Sequence, residues 1–211
     1  MKIGIIGAGN LGTGLARQLV KQNHAVMLSI IRDPAKLEKT ARSLGTRSGT
    51  PDEAAAFGDV IVLATPWTVT AEALRQAEPV SGNKILWDCT NALKPDMSGL
   101  MISTPTSGGE EVAKLAPWAR VIKAIPPFAE VLKSPKTLAG GARPAVFVCG
   151  DDPQARKVVV GLAEDIGGAA VDAGPLILAR YTEPACMLLV SLAYVRGFGA
   201  RIGLALLRDS A

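Results

Sequence analysis

Cysteine, histidine and aromatic residues are all scarce in this chain, and each shortage removes a class of chemistry. The three cysteines, Cys89, Cys149 and Cys186, lie far apart and form no C-x-x-C pair. That argues against a disulfide framework or a metal site and for buried thiols in a reducing cytoplasm. The one histidine, His24, falls where a helix pattern turns into a strand, away from the strand ends where α/β sheets bind ligands. It reads as a turn residue. Aromatics amount to 4% and nowhere interleave with a basic stripe, which speaks against nucleic acid as a partner. The longest uncharged apolar stretch, Pro184 to Val195, is too short to span a bilayer, and Arg196 and Arg201 interrupt the residues beyond it. Met1-Lys2 runs directly into a strand pattern, which leaves no room for a cleaved leader.

What is present is a large apolar fraction, 48%, in 211 residues, enough for one large domain or a nucleotide domain with a small partner. Lys2-Ile3-Gly4-Ile5-Ile6 reads as a buried strand, and Gly7-Ala8-Gly9-Asn10-Leu11-Gly12 follows without a gap. Leu11, Leu15, Leu19 and Val20 then repeat at helical spacing. A G-x-G-x-x-G placed between strand and helix is a dinucleotide-binding signature. Gly7 lets the chain turn, Gly9 leaves room for a pyrophosphate, and Gly12 lets helix and sheet approach closely.

Strand and helix patterns then alternate, as a parallel sheet with crossover helices requires. Strands are expected at Ala25 to Ile30, Val60 to Ala64, Lys84 to Asp88 and Arg120 to Ile125. Asp33-Pro34, Thr50-Pro51-Asp52-Glu53 and Ser107 with Glu110 are helix starts by their caps. The fold class is α/β: a Rossmann-type doubly wound parallel sheet over 1–125, with a smaller, mainly helical part over 126–211 packed tightly against it. In that second part Ala145 to Cys149 and Ala169 to Asp172 are strands, and Asp152-Pro153 caps a helix. From Pro175 the chain reads as helical and apolar, with a kink or break expected at Pro184. Gly197, Gly199 and Gly203 follow no strand and are read as helix-packing positions.

Cofactor choice is usually written after the second strand, where an acid favours NAD and a base favours NADP. Here Arg32 comes first and Lys36 follows one helical turn later, so NADP(H) is expected. Asp33 is the rival ribose ligand, although its place before Pro34 suits an N-cap. Net charge is +4, with Arg17, Lys21, Arg32, Lys36, Lys39, Arg42 and Arg47 opposed locally only by Asp33 and Glu38, a balance that suits a polyanionic small molecule.

These motifs resemble the NADP-binding oxidoreductases typified by 8-hydroxy-5-deazaflavin:NADP oxidoreductase, across nearly the whole chain. Gly7 to Gly12 with its Asn10-Leu11 pair is similar to the family's glycine loop. Arg32 to Lys36 resembles its 2′-phosphate segment, and Thr65-Pro66-Trp67 its turn after the fourth strand. Cys149-Gly150-Asp151-Asp152 and Asp172-Ala173-Gly174-Pro175-Leu176 resemble two C-terminal signatures. Ile30-Ile31 replaces the Gly-Ser pair that usually precedes the arginine, and Ala124-Ile125-Pro126-Pro127-Phe128 stands where His-Thr or Asn-Thr is usual. The resemblance implies hydride transfer between NADP(H) and a deazaflavin (coenzyme F420) or a flavin as second substrate.

Such a transfer needs positioning and little acid–base help, so no catalytic side chain is assigned. Thr65, Pro66, Trp67 and Asn91 are expected beside the nicotinamide, and Pro126, Pro127 and Phe128 beneath the acceptor. A dehydrogenase or imine reductase of small compounds would need a proton donor, for which Lys123 and Asp88 are the nearby candidates. A non-catalytic NADP(H)-binding module is the third reading. Lys123 either meets an anionic substrate or faces solvent. The apolar run Met187 to Leu207 exceeds what one small domain covers, so a homodimer through the C-terminal helices is expected.

Overall fold

Short runs of uncharged apolar residues become strands buried on both faces, and capped amphipathic runs become the helices that cover them. In the computed structural model, which describes residues 1–29, 33–78, 82–134, 137–207 and 209, the chain opens with β1 (Lys2–Ile6), α1 (Asn10–Lys21), β2 (Ala25–Ser29) and α2 (Pro34–Leu44). Then come β3 (Arg47–Gly49), α3 (Pro51–Phe57), β4 (Val60–Leu63), α4 (Trp67–Gln76), β5 (Lys84–Asp88), α5 (Gly108–Leu115) and β6 (Ala119–Lys123). The second part supplies α6 (Ala129–Lys133), β7 (Ala145–Gly150), α7 (Pro153–Asp165), β8 (Ala169–Gly174) and α8 (Ala179–Val190).

All eight strands join one sheet in the order β3-β2-β1-β4-β5-β6-β7-β8. Neighbours are parallel except β6 and β7, which pair antiparallel. The segments on either side of residues 125 and 126 therefore share a sheet. Alternate residues of β4 serve its two faces: Val60 and Val62 join Ile3, Ile5, Leu15 and Val159, while Ile61 and Leu63 join Leu74, Leu86 and Val112. Such two-sided burial is what makes the strands read as continuous apolar runs.

The chain winds from β1 outward through β2 to β3 and then crosses back to β4 on the other side of β1, a switch point that opens a crevice at the strand C-terminal ends. The second part is pinned to the first by polar contacts. His24 Nε2 lies 2.9 Å from Asp165 Oδ2 at the end of α7, so the turn histidine also ties β2 to the later helices.

Expectation and structure part company in the C-terminal segment. The helix does not break at Pro184; α8 runs through it and continues as a π turn over Ser191–Val195. Helix ends there, and residues 196–207 are irregular. Gly197 and Gly199 do not pack a helix: both have positive φ (75° and 78°) and end one, with Phe198 N bonded to Leu192 O and Gly199 N to Ala193 O. Gly203 does mark a close approach, to the Pro144 side chain.

Candidate active site

The glycine loop carries out three different tasks. Gly7 has φ 114°, a conformation that side chains resist, and a Cβ there would also overlap the Ala64 carbonyl. A Cβ on Gly12 would overlap the Gly7 carbonyl oxygen. Gly9 is different: a Cβ would meet nothing within 4 Å, so its missing side chain leaves space that the protein does not use. That space is the mouth of a cavity of about 650 Å³.

Helix capping marks the same place. Asp33, Thr50, Ser107 and Asp152 cap α2, α3, α5 and α7 with side-chain oxygens. The residues that begin α1, α4 and α6 are Gly9, Pro66 and Phe128, none of which offers a cap, and all three line the cavity. Uncapped first turns leave N–H groups and positive dipole ends for a ligand to satisfy. α1 and α4 are long enough for that to matter, and together they suit a pyrophosphate.

The strand ends bring the expected residues together. Thr65, Pro66, Trp67, Asn91, Pro126, Pro127 and Phe128 all line the cavity with Gly9, Asn10 and Leu11. Thr65 Oγ1 is held 2.9 Å from Thr70 Oγ1, which itself donates to the Pro66 carbonyl. Asn91 Nδ2 donates to the Glu183 carbonyl at 3.4 Å, whereas its Oδ1 is buried without a partner. A buried, unpaired amide oxygen on a residue that lines the cavity is a candidate acceptor for a ligand N–H. Gly7 and Gly12 shape the loop from beneath and do not line the cavity. Asp33 caps α2 through Lys36 N, and Lys36 stands exposed on that helix. Arg32, with Ile30 and Ile31, lies outside the described residues.

Lys123 corrects both sequence-based expectations, since it meets neither substrate nor solvent. It is 1% exposed, its Nζ lies 2.9 Å from Asp88 Oδ2 and 3.2 Å from Glu183 Oε1, and it donates to the Thr90 carbonyl at 2.6 Å. Glu183 in turn accepts from Gly108 N and Gly109 N at the start of α5, at 2.8 Å each. Burial acts to lower the Lys123 pKa, but Asp88 and Glu183 outweigh it and hold the ammonium above its ordinary value. None of these three residues lines the cavity, so the proton donors considered for a small-carbonyl reductase are committed to anchoring α8.

Several wall residues were invisible in the sequence. The loop after β5 folds back through a bridge between Leu93 and Leu100 and contributes Leu93, Lys94 and Met97. α8 and its π turn contribute Cys186, Leu189, Val190 and Tyr194, and the tail returns to place Ile202 and Gly203. Burial pushes the Cys186 thiol up to about 12 and raises Cys89 as well, so both stay protonated. From α6, Lys133 Nζ reaches Asn10 Oδ1 at 2.8 Å, a cation at the lip of the glycine loop. The two C-terminal signatures are structural joints: Asp151 accepts from Leu176 N, and Asp172 accepts from Gly174 N and Arg156.

The model of the family described as NADP oxidoreductase, coenzyme F420-dependent, matches residues 2–92. An F420-dependent NADP reductase from Methanocaldococcus jannaschii is 29% identical over 207 residues, covering 91% of this chain and 92% of that protein. The chain is similar to this family over those residues and resembles that reductase over most of its length. It is an NADP-dependent oxidoreductase. The solved structure of a proposed F420-dependent NADP reductase from Arthrobacter sp. FB24 superposes with a TM-score of 0.86 at 27% identity, over 99% of this chain and all of that one (100%). An imine reductase from Pseudomonas sp. shares only the fold: 15% identity and a TM-score of 0.67, over 92% of this chain and 63% of that one. Among the described residues, the helical run Leu176–Val195 is long and apolar enough to cross a membrane by composition. Its Glu183 and Arg180 are nevertheless bonded to α5, the latter through Glu110 at 2.7 Å.

Proposed function

We propose that the protein passes hydride between NADPH and a deazaflavin or flavin-like ring. The cavity carries this reading: one wall is glycine backbone and open helix ends, and the other is proline, aromatic and aliphatic. NADPH supplies the hydride when bound. Gly7, Gly9, Asn10, Leu11 and Gly12 form the pyrophosphate seat, while Arg32 and Lys36 receive the 2′-phosphate. Thr65, Pro66 and Trp67 confine the nicotinamide, and the unpaired Oδ1 of Asn91 accepts an N–H of its carboxamide. Pro126, Pro127 and Phe128 floor the acceptor side. A ring that delocalises incoming charge needs no strong acid beside it, in keeping with the paired state of Lys123 and Asp88.

The relative named F420-dependent NADP reductase supports a deazaflavin over a free flavin. The protein acts in the cytoplasm as a homodimer, its contact made by Tyr181, Leu188, Val195 and Phe198, all more than half exposed on and after α8. The test is NADPH oxidation with a deazaflavin, a free flavin and a panel of small ketones and imines. Turnover is expected with the deazaflavin and more slowly with the flavin. Turnover of a ketone or imine with neither ring would overturn the reading.

A further inference from the structure

The acceptor-side wall has one feature that its apolar character does not require. Tyr194 lines the cavity, yet its ring is half exposed and its hydroxyl makes no hydrogen bond among the described residues. The ring stands 5.8 Å from that of Phe128 at an interplanar angle of 76°, so the two rings form a corner. Phe128 comes from the start of α6 and Tyr194 from the π turn beyond α8, and the corner exists only because α8 is fixed over the sheet.

The backbone is adapted to put Tyr194 there. Cys186, Val190 and Tyr194 all line the cavity at spacings of four residues. In an α-helix each such step overshoots a full turn by about 40°, so the stripe rotates by about 80° over the two steps. The π turn over Ser191–Val195, closed by Arg196 N bonding to Ser191 O at 2.9 Å, reduces that rotation on the way to Tyr194. Single π turns recur at functional sites for this kind of re-aiming.

We propose that Tyr194 is the acceptor-selecting residue: with Phe128 it grips a planar heteroaromatic ring, and its hydroxyl donates a hydrogen bond to a ring carbonyl or nitrogen. This rests on the functional reading above and narrows it to rings that carry an acceptor atom at their edge. The bond is made to the atom on which negative charge gathers as the ring takes up hydride, so it strengthens during transfer. The hydroxyl keeps its proton throughout, because burial and the nearby Glu130 carboxylate raise its pKa above the ordinary tyrosine value. The proton that completes reduction comes from solvent.

Two variants and two readouts test this. NADP⁺-loaded protein is titrated with riboflavin and with an 8-hydroxy-5-deazaflavin, and NADPH affinity is read from quenching of tryptophan fluorescence, Trp67 being in the cavity wall. Tyr194→Ala should weaken ring binding about tenfold and leave NADPH affinity within about twofold. Tyr194→Phe should keep ring binding but slow hydride transfer roughly five- to tenfold, the effect of one hydrogen bond. Unchanged ring binding and turnover in both variants would overturn the inference and leave the functional reading standing. So would a loss of NADPH affinity in Tyr194→Ala as large as the loss for the ring. Failure of the parent protein to bind or reduce either ring, while it turns over a small imine, would overturn both.

Discussion

The two walls of the cavity are built by different means. The wall proposed for the cofactor is largely backbone: Gly9, which leaves space, helix starts without caps, and turns at strand ends, all within the first half of the chain. The acceptor wall is side chain: Phe128, Leu189, Val190 and Tyr194, held in place by a helix that reaches the sheet through buried charges. Backbone geometry is specified by a few consecutive residues and tolerates little change. A side-chain wall is specified by contacts distant in sequence and can be refitted. On the function proposed above, the protein combines a fixed nucleotide seat with an adjustable acceptor seat, which is how one fold serves acceptors of different chemistry.

The difference can be pressed hardest at the glycines. Gly9→Val should abolish measurable NADPH binding while the unliganded protein keeps its thermal stability, because the new side chain enters empty space. Gly12→Val should lose both, since its Cβ overlaps the Gly7 carbonyl. Circular dichroism melts beside fluorescence titrations read the two effects separately. Normal NADPH affinity in Gly9→Val would mean that the pyrophosphate does not pass this loop.

The next test attacks the other wall through its anchor. Lys123→Met removes the cation between Asp88 and Glu183 and leaves two buried carboxylates facing each other's charge. Breaking a buried pair in this way costs about 3–5 kcal/mol. Urea unfolding should show that loss, and in protein that remains folded the KM for the acceptor should rise more than the Kd for NADPH. A loss below about 1 kcal/mol would show that the Lys123 cation is not what holds α8.

The same contrast explains what the sequence disclosed. The glycine loop, its flanking strand and helix, and the residues at the ends of β4 and β5 are legible because each signal is local. Gly7, Gly9 and Gly12 lie within six consecutive residues, and Asn91 comes three residues after β5. The single sheet is harder to read, because an antiparallel β7 is joined to β6 through residues with no strand pattern. Lys123 misleads since a charge inside a strand suggests an exposed face; its partner Glu183 belongs to another helix far along the chain. Tyr194 is hidden for a related reason: a π turn leaves no mark in hydrophobic periodicity. The helix through Pro184 is an override of local preference by tertiary contacts, chiefly those of Glu183 with Gly108, Gly109 and Lys123.

The smallest effect lies at the outer anchor of the same wall, and it depends on pH. Arg180 donates two hydrogen bonds to the Glu110 carboxylate, from Nε to Oε2 at 2.8 Å and from an Nη to Oε1 at 2.7 Å. Those bonds hold the Glu110 carboxyl below the ordinary carboxylate range, with Ser107 adding to the effect. A carboxyl whose pKa is depressed by folding contributes stability that is present above its unfolded-state value. That contribution is lost as pH falls through the folded-state value. Arg180→Gln should therefore lower the melting temperature at pH 7, by less than Lys123→Met because the pair is partly exposed to solvent and screened. The gap from the parent protein should close as pH falls below about 4, where unfolded glutamate is itself protonated. Melting curves at several pH values measure this directly. A gap that stays constant down to that range would assign Arg180 a packing role on α8 and leave the buried Lys123 cluster as the ionic anchor of α8 among the described residues.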